Sequence, residues 1–204
     1  MAYHASVVAI AIALYLVFVW WYGGKGRPLS TEEKAHIVAE FHKRVRGTQE
    51  EGLIDEAQQL MANDDGKEFL MHNCVRYRPK ALYPPGQDYS DDPREADKRY
   101  GKAIIPHLLR RACMPVFIAR RSGKFIDCPG VPDWHYVAMV RYRSQRDFFN
   151  FALAISDAGV DVHKWAAIEQ TVVFPVKPIV SFITVRLLVA GLLALVTALV
   201  VAAT

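Results

Sequence analysis

Charge is nearly absent from both ends of this 204-residue chain. Ala5 to Tyr22 carries none and Ile179 to Ala203 carries only Arg186, while nearly every acidic and basic residue lies between Lys25 and Lys177. Cysteine is scarce as well. Cys74, Cys113 and Cys128 are an odd number in no tight spacing, which gives no disulfide framework, suits a reducing compartment and reads as free thiols. No His/Cys pair has zinc-like spacing, and there is no glycine-rich phosphate loop, no Gly-x-Ser-x-Gly elbow and no Cys/His dyad visible by spacing. Nucleotide hydrolysis, serine hydrolase chemistry, a resident metal and a cofactor are therefore not expected. The net charge is only +4, with both signs mixed along the centre, so nucleic acid is not an expected partner. Arg141-Tyr142-Arg143 reads as solvated strand-end arginines.

What remains is a pattern of membrane, globule, membrane. At ~1.5 Å per residue, Ala5–Tyr22 gives about 27 Å, close to the hydrocarbon thickness of a bilayer. The second stretch is apolar from Leu187 to Ala203 except for Thr197, with Arg186 placed to snorkel at its first end. A cleaved signal peptide is the rival reading of the first segment, but it needs a basic stretch before the apolar core, and MAYHAS offers only its amino terminus and His4. Trp20, Trp21 and Tyr22 sit where amphipathic rings anchor an interface, and Lys25, Arg27, Lys164, Lys177 and Arg186 flank the spans on their inner sides. The expected placement is a bacterial inner membrane with both termini outside and the central domain cytoplasmic. The expected organisation is a span over 1–24, a helical pair over 25–66, a domain over 67–176 and a span over 177–204.

Ser30-Thr31-Glu32-Glu33 is a capping-box signal for a helix reaching about Arg46. Thr48 and Glu51 repeat the spacing ahead of Leu53, Ile54, Ala57, Leu60 and Met61, a second helix through Asn63. His36, Ile37, Phe41 and Val45 could face lipid or protein equally well. Glu68–Tyr77 reads as a strand, and Asp92-Pro93 starts a helix to Arg111 that Pro106 should kink or divide. Met114–Arg120 and Asp133–Tyr142 form a hairpin with a long tip, Ser144 caps a helix closed by Gly159, and Ala166–Val176 is the last strand. The order β-α-β-β-α-β predicts an α+β chain: a ferredoxin-like βαββαβ domain flanked by N- and C-terminal transmembrane helices.

Between Phe69 and Val176, four runs follow in order: Asn73-Cys74-Val75-Arg76-Tyr77, Leu108-Leu109-Arg110-Arg111-Ala112, Val137 to Ser144, and Ala166 to Thr171. They resemble an uncharacterised bacterial domain-of-unknown-function family, numbered 1330, of the dimeric α/β-barrel superfamily. The resemblance implies a four-stranded antiparallel sheet with two helices on one face, often paired with a second copy so that the sheets close a barrel. It implies no reaction, because relatives in the superfamily include oxygenases, haem-degrading enzymes and dye-type peroxidases, while others only bind or assemble. The membrane spans and the added helical pair depart from the usual soluble form.

In a regular strand His72, Cys74 and Arg76 share one face. Asp133-Trp134-His135 could orient an imidazole beside an aromatic wall, or could be a turn cap followed by packing. Asn73, Arg76, Arg141 and Trp165 combine donors with aromatic surface in the matching parts of the family pattern, so His72, Asn73, Arg76, His135, Arg141 and Trp165 are the candidate ligand-binding residues. Arg76 and Arg141 could instead pair with Glu169 across strands. Ala190, Gly191, Ala194 and Ala198 recur at the spacing that permits close helix contact in lipid, or simply belong to an alanine-rich span. The leading expectation is a non-catalytic accessory or assembly subunit of a larger membrane complex, respiratory or photosynthetic, with membrane lipids, other integral membrane subunits and self-association through the sheet as partners. The alternative is a membrane-tethered enzyme or binding protein for an apolar ligand such as a quinone, haem or lipid-like metabolite.

Overall fold

Three of the four cap signals, at Ser30, Asp92 and Ser144, are realised in a computed structural model that describes residues 2–44, 48–126, 128–181 and 184–204. Ser30 Oγ accepts from Glu33 N–H at 3.2 Å while Glu33 Oε2 accepts from Ser30 N–H at 2.8 Å, a reciprocal box opening α2 (Thr31–Arg44). Asp92 accepts from Arg94 N–H ahead of α4 (Pro93–Leu109), and Ser144 accepts from Asp147 N–H ahead of α5 (Gln145–Asp157). Val45 lies outside the described residues, and so do the side chains of Thr48 and Glu51 at the start of α3 (Thr48–Ala62).

The molecule divides into Lys25–Lys177 and a second unit made of Met1–Gly24 with Pro178–Thr204. The second unit holds α1 (Ala2–Gly23) and α7 (Val185–Ala202), each long and apolar enough to cross a membrane. They run antiparallel, since His4 Nε2 meets Thr204 Oγ1 at 3.2 Å and the Arg186 guanidinium lies 4.9 Å from the Tyr22 ring centroid. That cation–π contact gives Arg186 an aromatic partner at the end of the span where the snorkelling reading put it.

In the central unit, β1 (Phe69–Tyr77), β2 (Met114–Arg120), β3 (Tyr136–Tyr142) and β4 (Ile168–Val176) form one antiparallel sheet in the order β2-β3-β1-β4. With α4 and α5 as crossovers this is the ferredoxin-like βαββαβ arrangement. Strand alternation decides the two faces. Phe69, Met71 and Tyr142 turn inward and close on Leu108 of α4, on Cys113 just before β2 and on Phe151 and Ile155 of α5. Val75 and Ile168 close instead on Ala96 of α4 and on Ala166 and Ala167.

Those two alanines correct the sequence reading of the last strand. They end a short helix, α6 (Asp161–Ala167), because small side chains let it press against fully buried Ala96, and β4 starts only at Ile168. Strand β3 begins at Tyr136 rather than Asp133, whose carboxylate is held in the preceding loop by Lys124 Nζ at 2.7 Å and Arg121 at 3.3 Å. Pro106 does not divide α4, which runs on to Leu109 with Pro106 on its exposed side.

The helical pair packs on protein. Ile37 of α2 and Ala57 and Met61 of α3 bury against Phe149 on the outer side of α5, and Phe41 meets the Phe149 ring edge-on at 6.0 Å, while His36 is exposed. Arg146 reinforces this layer, pairing with Glu33 at 2.7 Å and donating to the Arg27 and Pro28 carbonyls. Gly66 is obligatory at its corner. Its φ is +70°, and a Cβ there would lie 2.5 Å from the Arg27 carbonyl carbon.

Phe149 is 1% exposed, so Phe149→Ala should cost about 3–5 kcal/mol in chemical denaturation. The Glu33 carboxyl is pulled from 4.5 down to about 2, first by its bond from Arg146. The native state therefore binds that proton less readily than the unfolded chain, and the Glu33 contribution is whole above about 4.5 and lost as pH falls toward about 2. Hydrogen exchange across α2 should rise through that window in the wild type and be flat there in Glu33→Gln.

Candidate functional site

Two of the residues singled out by sequence, Arg76 and His135, come together at the far end of β1 in an open cleft of about 300 Å³. Its other polar walls are Tyr77, Arg78, Arg94 and Glu169. A one-residue irregularity after Arg76 brings Glu169 alongside, and Arg76 Nε meets Glu169 Oε2 at 2.9 Å. Arg78 Nε donates to the Trp165 carbonyl at 3.4 Å, and Arg94, in the first turn of α4, lies 5.9 Å from the Tyr77 ring centroid. His135 Nδ1 accepts the Tyr77 N–H at 3.1 Å. A neutral His135 thus carries its proton on Nε2. Asp133 does not orient it, contrary to the cluster expected from Asp133-Trp134-His135, because Lys124 and Arg121 have claimed that carboxylate.

Beneath the cleft, Tyr77 Oη donates to Asp97 Oδ2 at 2.7 Å and Tyr136 Oη donates to Asp97 Oδ1 at 3.2 Å. Burial pushes the Asp97 carboxyl above its ordinary value, and both phenols are also raised, chiefly by burial. Lys164, driven down by burial, faces the same carboxylate, and its Nζ sits 5.0 Å from the Trp165 ring. This polar knot anchors β1 and β3 to α4. Sequence reading missed Tyr77, Arg78, Arg94 and Asp97; the run Arg76-Tyr77-Arg78-Pro79 was the available signal. Chemically the cleft offers guanidinium and imidazole donors around one paired carboxylate, an arrangement suited to holding an anion.

The other candidates separate. His72 does share a face with Cys74 and Arg76, opposite Met139 and Phe174, and its ring meets Phe174 edge-on at 5.0 Å. Asn73 turns the other way and donates to the Met71 carbonyl at 2.9 Å. Trp165 is exposed at the end of α6. Arg141 is at the opposite end of the sheet, 3% exposed, paired with Glu68 rather than Glu169, and donates to the Ala112 carbonyl at 2.6 Å. Arg143 is bound to Asp147 at 2.8 Å. Neither is a solvated strand-end arginine: Arg141, opposite Leu70 within β3, is held by Glu68 and the Ala112 carbonyl, and Arg143, just beyond β3, by Asp147. Among the described residues no group of three His, Cys, Asp or Glu is placed to hold a metal ion. The three cysteines are free thiols; burial raises Cys113 to about 11 and also raises Cys74.

No family model matches this chain, and no curated protein matches it. Two crystal structures of the RPA0582 protein, a protein of unknown function from Rhodopseudomonas palustris, are similar. They are 26% identical, with TM-scores of 0.56 and 0.55, over 63% and 62% of this chain and 93% and 94% of that one. A dabb family protein with a ferredoxin-like fold from Mesorhizobium loti aligns at 10% identity and TM-score 0.35 over 55% of this chain and 98% of that one.

Removing the Glu68 carboxylate leaves a buried guanidinium without its acid, so Glu68→Ala should cost about 3 kcal/mol in thermal or chemical unfolding. His135→Ala, at the exposed cleft, should cost about 1 kcal/mol or less by the same measurement.

Proposed function

We propose that this chain is a non-catalytic accessory or assembly subunit of a larger membrane complex, respiratory or photosynthetic, held in a bacterial inner membrane with both termini outside and its ferredoxin-like domain in the cytoplasm. The observation that carries this reading is the uncovered sheet face. Leu70, Val137, Met139, Val172 and Phe174 stand on the side away from the helices, with Val172 47% and Phe174 42% exposed. His72 and Cys74 stand among them, and an exposed face this rich in apolar side chains marks an interaction surface. Its occupant in this reading is a second copy of the chain, sheet against sheet, as in the dimeric α/β-barrel superfamily to which the proposal assigns the domain.

The spans supply the second docking surface. On α7 the half-buried positions are Val185, Arg186, Val189, Ala190, Leu193, Thr197 and Val201, so α1 covers that stripe. Gly191, Ala194 and Ala198 are exposed on the outside of the hairpin, where close approach of a further helix is unobstructed. A Cβ at Gly191 meets nothing within 4 Å, so a larger residue there leaves the hairpin itself undisturbed. The alternative of a quinone- or haem-type ligand finds little support in the cleft at Arg76 and His135, whose walls are mainly cationic and polar; it would need the space between two apposed sheets.

Purification of the full chain from native membranes in mild detergent should return partner subunits in fixed ratio, and Gly191→Leu should remove them while the chain stays in the membrane. Met139→Glu with Val172→Glu should halve the mass of the chain's own oligomer in native mass measurement. A lone oligomer carrying a bound small molecule, indifferent to Gly191→Leu, would overturn the subunit reading.

A further inference from the structure

A second hollow lies at the opposite end of the sheet, where the chain enters and leaves the domain. Leu60 of α3, Asn63 just after it, Lys67, Gln145 at the start of α5, Val176 at the end of β4 and Lys177 beyond it enclose about 230 Å³. That is smaller than the ~300–1,000 Å³ of a pocket for a whole drug-sized ligand, and suits one small polar group.

The walls are of three kinds. Charge comes from the ammonium groups of Lys67 and Lys177 and from the carboxylate of Asp65, which Lys177 Nζ meets at 2.6 Å. Leu60, Phe69, Pro175 and Val176 bring hydrocarbon. Gln145 is 7% exposed, and its Oε1 is buried without a hydrogen-bond donor. A buried acceptor left unsatisfied costs free energy that a donor on a ligand would recover. Gln145 lines the hollow, and its terminal amide torsion has a broad preference, so rotation about that bond is the inexpensive way for the oxygen to meet a ligand donor.

The same corner receives both connections to the apolar helices. Asp64 Oδ2 accepts the Leu29 N–H at 2.7 Å, Gly66 abuts Arg27, and Lys177 bonds Asp65. Only Gly24, Lys25 and Gly26 separate Arg27 from the last residue of α1, a reach of at most about 14 Å of extended chain. A bilayer headgroup layer occupies the ~5–8 Å beyond the hydrocarbon on each side.

We infer that this cleft is a headgroup site for a glycerophospholipid that carries a hydrogen-bond donor, the ethanolamine ammonium or the glycerol hydroxyl. The phosphate lies by Lys67 and Lys177, the donor bonds Gln145 Oε1, and the methylene carbons rest on Leu60 and Pro175. The inference rests on the membrane placement proposed above.

The test uses the full chain in detergent, with phosphatidylethanolamine, phosphatidylglycerol or phosphatidylcholine added singly and retained lipid counted by native mass spectrometry. Phosphatidylcholine keeps the phosphate and lacks the donor. About a tenfold preference for the first two is expected, abolished in Gln145→Leu and in Gln145→Met, with Lys67→Ala weakening all three. Equal retention of the three lipids, or a preference that survives both Gln145 variants, overturns the assignment. So does Gln145-dependent binding of soluble glycerophosphoethanolamine with none of the intact lipid, which would make the ligand a free phosphodiester. Alkaline extraction of membranes reads the placement separately: a chain that washes off yet discriminates in detergent refutes the placement and keeps the site, and a chain that stays without discriminating does the reverse.

Discussion

Helix α5 is apolar on two sides, and the arrangement of the central domain depends on that. Phe151 and Ile155 face the sheet with Phe69, Met71 and Tyr142, while Phe149 faces the added pair α2 and α3. Phe148 lies between, edge-on to Phe69 at 6.1 Å, to Tyr142 at 4.9 Å and to Phe149 at 5.0 Å. A crossover helix with one apolar stripe would leave α2 and α3 nothing to cover. With two, the hydrophobic effect recruits them as a further layer, and the chain between the first apolar segment and the sheet becomes part of the core.

That recruitment fixes where the chain enters the domain. Leu29 is buried with Met61 and Phe149, so the residues after α1 are drawn to the corner at Asp64–Lys67, and Lys177 is paired to the same corner from the other side. One end of the sheet thus carries both connections, and the other carries the cationic cleft of Arg76, Arg94 and His135. The two hollows differ for that reason: one is walled by the junction of four elements, the other by the irregular pairing where β1 ends and β4 begins and by the first turn of α4. Between them the outer face of the sheet carries Leu70, Met139, Val172 and Phe174, because α4 and α5 take the inner face and α2 and α3 pack on α5.

The apolar ends, the helix starts and the strand order were legible from sequence because they rest on local chemistry: runs without charge, hydroxyl and carboxylate caps, and alternation along strands. Residues that share a strand, such as His72, Cys74 and Arg76, were correctly placed on one face by periodicity alone. The site residues fared unevenly. Arg76 and His135 do meet, yet Asn73 and Arg141 serve the scaffold, since a donor on a strand bonds whichever acceptor the neighbouring element presents, and that acceptor is set by register.

Tertiary structure alone decided the partners. Arg141 finds Glu68 instead of Glu169 because Leu70, two residues from Glu68 on the same face, stands opposite Arg141, while Glu169 is carried to the other end of the sheet beside Arg76. Ala166 and Ala167 end a helix because Ala96 leaves room for only small side chains, and Asp133 is lost to His135 because two cations across a loop reach it first. The amino-acid sequence by itself determined which segments are apolar, where helices begin and which residues alternate, since each follows from neighbours a few positions apart. Which charges pair, which face stays open and which hollows form required segments distant in the chain to be brought together, because Coulomb and packing energies act over ångströms in space and are indifferent to separation along the backbone.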